Sequence, residues 1–129
     1  MSHSTDIFVS TDDPREDIVA VLEAGLGVHA QPASDEGTPY LLLDEAAVHV
    51  GPHDFFDFYD NDTTIPLETE YPHWIDVRSR QHDIEQQREV GQRVFDLLKQ
   101  TGRWKLVYLD NFQHVVDSYD PAQPAEQAW

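Results

Sequence analysis

The segment DIEQQREVGQRVFDLLKQTG, Asp83 to Gly102, leaves the chain least choice about its conformation. Gly91, Val94, Phe95 and Leu98 recur at i, i+3, i+4 and i+7, so a helix here carries one apolar stripe, and Gly102 stands where a left-handed C-cap belongs. A one-sided helix has to bury its stripe against another element. Strand-like segments flank it on both sides: HWIDVRS, His73 to Ser79, precedes it, and RWKLVYLDNFQHVVDSY follows, divided into Trp104 to Leu109 and His114 to Asp117 around a turn at Asp110 to Phe112. Gly91 inside the helix costs about 1 kcal/mol relative to alanine. Its presence implies that the helix lies close to the sheet at that point.

The first part of the chain repeats the pattern. DIFVS, Asp6 to Ser10, reads as a strand ended by TDDP. A helix is expected next, with Asp13 as cap, Pro14 at the first helical position and Glu16 completing a capping box. Ile18, Val19, Leu22 and Leu26 form its apolar face, and Gly25 and Gly27 supply the stop. Gln31 to Pro39 has the chemistry of a surface loop. Tyr40 to Leu43 and Ala47 to Val50 then read as two strands around a turn at Asp44 and Glu45. The order β-α-β-β, acidic insert, β-α-β-β predicts an α+β two-layer sandwich: a mostly antiparallel sheet of about five to six strands with two main helices on one face, the ferredoxin-like arrangement and permutations of its strand order both being open. At 129 residues one domain is expected over 1–120, with 121–129 as a mobile tail.

Charge separates the two halves. Residues 1–77 hold seventeen Asp and Glu against one base, Arg15, whereas residues 78–129 hold eight acids against seven bases. The net charge of -17 repels phosphates and anionic membranes, which argues against nucleic acid and membrane partners and for a basic one. A hydrophobic share of 40% and three tryptophans still support a folded core. No apolar run is long enough to span a bilayer, and the opening MSHSTD lacks the basic and apolar regions of an export signal, so a cytoplasmic location is expected.

Most chemistries find no support. Without cysteine there is no disulfide framework, thiolate zinc site or thiol nucleophile. A calcium loop begun at Asp60 fails because Ile65 and Tyr71 stand where Gly and Glu belong. His49 and His53 are four apart, but Gly51 and Pro52 interrupt a helix between them, so no metal site and no cofactor are expected. Neither a nucleophile elbow nor a phosphate or dinucleotide loop is present, so no catalytic residue is assigned. His73 and Asp76 on one strand face opposite ways, whereas Glu68 and Glu70 would share a strand face in the extended stretch TTIPLETEYP.

The insert itself, HDFFDFYDND from His53 to Asp62, interleaves rings with carboxylates and holds no base. Phe55, Phe58 and Tyr59 at i, i+3 and i+4, with Asp54, Asp57 and Asp60 along another side, read as a short helix. Aromatic rings usually close a core, but a merely solvated face would mix charge signs. Like charges at this density repel across a screening length of about 8 Å. The expected function is a non-enzymatic protein-binding module of the immunity or inhibitor type, which neutralises a basic target through Asp54, Phe56, Asp57, Tyr59, Asp60, Asp62, Glu68 and Glu70. Two alternatives stand beside it. One is a homo-oligomer, a homodimer for example, in which the basic helix pairs with the acidic half. The other is a small-molecule binder or enzyme with a cleft at His49, His53, His73 or Trp74 and a carboxylate of perturbed pKa.

Overall fold

The structure, a computed structural model, describes residues 3–32, 39–53, 57–60 and 63–122. Strands β1 (Thr5–Ser10), β2 (Gln31–Pro32), β3 (Pro39–Leu42), β4 (Ala46–Gly51), β7 (His73–Ser79), β8 (Lys105–Asp110) and β9 (His114–Tyr119) form one sheet in the order β2-β3-β4-β7-β1-β8-β9. Every neighbouring pair in it is antiparallel. The two-residue β2 at the edge takes the count above the expected five to six, since the loop after Ala30 pairs briefly with Tyr40 and Pro39 before leaving the sheet. Its inner four strands, β4-β7-β1-β8, follow the connectivity of a ferredoxin-like βαββαβ sandwich.

Helices α1 (Arg15–Leu26) and α3 (Ile84–Thr101) share one face of the sheet. Ile18 and Leu22 of α1 and Val94, Phe95 and Leu98 of α3 bury against alternate strand residues, among them Ile7, Val9, Val48, Ile75 and Leu106. The ends of α3 are as its sequence requires: the Asp83 carboxylate accepts from Gln86 N–H at 3.1 Å, and Gly102 caps it at φ 66°. A methyl group at Gly91 would meet Thr5 Cγ2 at 2.6 Å and the Tyr108 hydroxyl at 2.8 Å, so the close approach to β1 and β8 does require glycine.

The start and stop of α1 differ from expectation. Pro14 occupies the N-cap with φ -64° and ψ 150°, and no side chain caps the helix. Asp13 is engaged elsewhere, accepting from Trp104 Nε1 at 2.8 Å and Arg103 at 3.0 Å; these charge-assisted bonds tie the β1–α1 loop to the start of β8. Gly25 lies inside the helix, where a methyl would fall 2.4 Å from Leu97, and Gly27 at φ 74° alone makes the stop. Gly25 is a contact point between the two helices.

The insert between β4 and β7 holds a hairpin, β5 (Phe58–Asp60) with β6 (Thr63–Ile65), and a helical turn α2 (Leu67–Glu70). The helix expected around Phe58 and Tyr59 is therefore a strand. Pairing with the β-branched run Thr63–Ile65 outweighs the local helical spacing. Conversely, Glu68 and Glu70 stand on a helical turn, closed by Glu70 N–H to the Pro66 carbonyl at 3.0 Å, and share no strand face. Leu67 and Tyr71 are buried against Phe8, Val107 and Leu109, with Phe58 and Ile65 packed beside them. The insert thus covers the face of the sheet opposite the two helices. The expected tail lies outside the described residues from 123 onward.

Candidate functional site

The eight residues chosen from the sequence divide three ways. Asp54, Phe56 and Asp62 lie outside the described residues. Asp57 accepts the Glu68 backbone N–H at 3.1 Å, which joins the hairpin to α2, and Asp60 ends β5 opposite Thr63. Tyr59 is 73% exposed, the most outward of the large apolar side chains among the described residues. Glu68 and Glu70 are exposed on α2, and Glu70 reaches Lys105 Nζ at 3.9 Å. Phe58, Ile65, Leu67 and Tyr71 face the sheet, while Glu68, Glu70 and the Tyr59 ring are exposed to solvent. Burial of the apolar residues determines which side of the insert meets water.

All the cations but one are committed within the molecule. Arg78 pairs with Asp76, Arg88 with Asp110, Arg93 with Glu45, Arg103 with Asp13 and Asp17, and Lys105 with Glu70. Arg80 donates to the Leu43 carbonyl at 3.0 Å, and Lys99 lies over the Tyr119 ring. Arg15, like Arg80 and Lys99, has no ion pair among the described residues, and its Nε is buried without an acceptor. The Arg93–Glu45 and Arg103–Asp13 contacts confirm that bases of the second half neutralise acids of the first. Eight bases against 25 acids nevertheless leave most of the negative charge uncompensated.

A second site was not foreseen. On the insert-covered face, Asp6 of β1 and Asp76 of β7 are register partners, and His49 of β4 is the next partner of Asp76. Asp6 is 1% exposed and Asp76 6%. Trp74 Nε1 donates to Asp6 Oδ1 at 2.7 Å, and Arg78 Nε donates to Asp76 Oδ2 at 2.8 Å. Asp6 Oδ2, Asp76 Oδ1 and His49 Nδ1 are buried with no hydrogen-bond partner. Burial pushes the Asp6 carboxyl up to about 6, helped by the charge of Asp76 and opposed by the indole bond. The signal available in the sequence was an aspartate in each of two expected strands, Asp6 at the start of 6–10 and Asp76 inside 73–79. His49 itself stacks on Tyr40, with ring centroids 5.5 Å apart.

The other histidines of the expected cleft do not converge on this row. His53 Nε2 donates to the Tyr71 carbonyl at 2.5 Å, which ties the end of β4 to the start of β7. His73 lies on the opposite strand face from Asp76 and donates through Nε2 to the Asp13 carbonyl at 3.2 Å; burial lowers its pKa, against the opposing effect of that bond. Among the described residues, no group of three or more His, Asp or Glu is placed to hold a metal ion. Two grooves of about 380 Å³ lie elsewhere. One runs between the insert and β8–β9, past Ile65, Pro66, Tyr71, Val115 and Tyr119; the other lies beside α1 at Arg15, Val19 and Pro39.

Fold and site together define an α+β sandwich whose second sheet face is covered by an acidic insert. No protein-family model, curated protein or solved structure matches the chain. No helix among the described residues is long and apolar enough to cross a membrane.

Proposed function

We propose that the chain is a non-enzymatic binding module whose insert recognises a basic protein, in the manner of an immunity or inhibitor protein that neutralises its target by covering it. The observation that carries this reading is the division of labour within the insert. Its apolar side chains anchor it to the sheet, while Asp57, Tyr59, Glu68 and Glu70 stand on its outer side with Lys105 as the one paired cation. Anchoring on packed β-structure limits the ordering entropy lost on association, and carboxylates beside an exposed ring combine electrostatic steering with an apolar contact. Asp54, Phe56 and Asp62 enter the proposal from the sequence alone, and a cytoplasmic site of action goes with it.

The test is calorimetric titration against the basic products of neighbouring genes at low and high salt. Tight binding that weakens as salt rises, and weakens again on combining Asp57→Asn, Glu68→Gln and Glu70→Gln, supports the reading. A complex indifferent to both changes removes it. The homo-oligomer alternative is separated by sedimentation at varied ionic strength. The cleft alternative has one observation in its favour, the raised pKa of Asp6 beside Trp74, but the carboxylate oxygens there are closed off from solvent.

A further inference from the structure

The two edges of the sheet are finished differently. On one side β2 is two residues long, and Pro32 sits opposite Pro39, so little donor capacity is left to a new strand. On the other side β9 runs for six residues, HVVDSY, with no proline and no lysine, and Val116 is 47% exposed. Among the described residues no strand lies beyond it. A register shift near Tyr108 and Leu109 is one guard on this edge. The other is Asp117, whose carboxylate accepts the Ser118 backbone N–H at 2.8 Å. The Asn111 N–H bonds the Ser4 carbonyl, so by alternation Val107 turns its backbone to β1, and Ser118, its partner in β9, points its N–H to the free side.

The charge on the guard selects the partner. A second copy of the chain would bring another -17 against Asp117 and Asp120, whereas a cationic segment is attracted. The groove between β8–β9 and the insert runs alongside this edge, with Thr64 and Pro66 on one wall and Val115 and Ser118 on the other. We propose that β9 is a docking edge for an extended, basic segment of a partner protein, which adds as a further strand. Alternate side chains of the added strand enter the groove, which Lys105 also lines, and its cationic groups meet Asp117 and Asp120. This rests on the proposed recognition of a basic protein and names where and how the chain would grip it.

The probe is an alternating lysine–valine octapeptide, compared with the same peptide N-methylated at every second amide, which keeps the charge and removes edge donors. Expected are binding at low salt, amide shifts confined to β9 and the groove, and at least a tenfold loss on N-methylation. Ser118→Pro removes an outward N–H without touching the β8 ladder and should cause a similar loss with an unchanged circular dichroism spectrum; if this variant misfolds, the methylated peptide still decides. No binding of the parent peptide, or equal binding of both peptides, overturns the inference. So does a homodimer that Ser118→Pro abolishes. Equal binding of the two peptides would leave the charge-based reading of the insert standing, because that reading is tested by its own acid-to-amide variants.

Discussion

Asp6 and Asp76 face each other across β1 and β7, each holding one oxygen that no donor reaches. Burial is the main cause of the upward shift of Asp6 to about 6, with hydrogen bonds from Trp74 and Ser4 opposing it and the charge of Asp76 adding to it, so the folded state favours a proton on Asp6. The groups acting on Asp6 are Asp76 and Arg78 from the neighbouring β7, with Trp74 and Ser4 as hydrogen-bond donors, while His49 lies one strand further away, opposite Asp76.

Because the folded state holds this proton more tightly than the unfolded chain, where the carboxyl titrates at 3.8, stability falls as pH rises from about 4 to about 6. The cost above that window is about 3 kcal/mol at most. Asp6→Asn keeps the acceptor for Trp74 and places an N–H toward Asp76. It should raise stability near neutral pH by about 1–3 kcal/mol and change little below pH 4. Urea unfolding at both pH values checks this; a variant less stable at neutral pH would show that burial of the Asp6 charge carries no such cost.

Asp110 titrates in the opposite sense. Burial raises its pKa, but hydrogen bonds from His3 at 2.6 Å and Arg88 at 3.0 Å more than offset this and hold it below its ordinary value. Its contribution is present above the unfolded pKa of 3.8 and is lost as pH falls through the folded value. Arg88→Gln should therefore move the acid-unfolding midpoint to higher pH. An unshifted midpoint by circular dichroism would show that the pair contributes nothing.

Gly91→Ala improves helix propensity by about 1 kcal/mol, yet it should destabilise the protein by about 2 kcal/mol or more. The added methyl overlaps Thr5 and the Tyr108 hydroxyl, and a packed sheet yields little. Thermal unfolding decides, since a gain in Tm would mean that α3 can lift from the sheet without penalty.

Leu67→Ala tests whether the insert belongs to the core. Leu67 is 0% exposed and packs on Phe8 and Val107, so truncation should cost about 2–5 kcal/mol. An appendage that merely displays charge would lose less than about 0.5 kcal/mol. The same variant should bind a hydrophobic dye more strongly as the second face of the sheet opens.

Local sequence determined α3 almost to the residue, because Asp83, Gly102 and the spacing of its apolar side chains act within a few turns of backbone. It also placed β1, β4, β7 and β8, whose composition suits a pleated, half-buried surface, and it indicated from Gly91 alone that helix and sheet lie close. Where short-range signals competed with distant partners, tertiary structure decided. Asp13 left its cap for Trp104, Gly25 became a helix contact, and Phe58 with Tyr59 joined a strand because Thr63–Ile65 lay beside them. The opposition of Asp6, Asp76 and His49 spans residues far apart along the chain, and register between strands is set by the packing of the whole sheet, which no local spacing records.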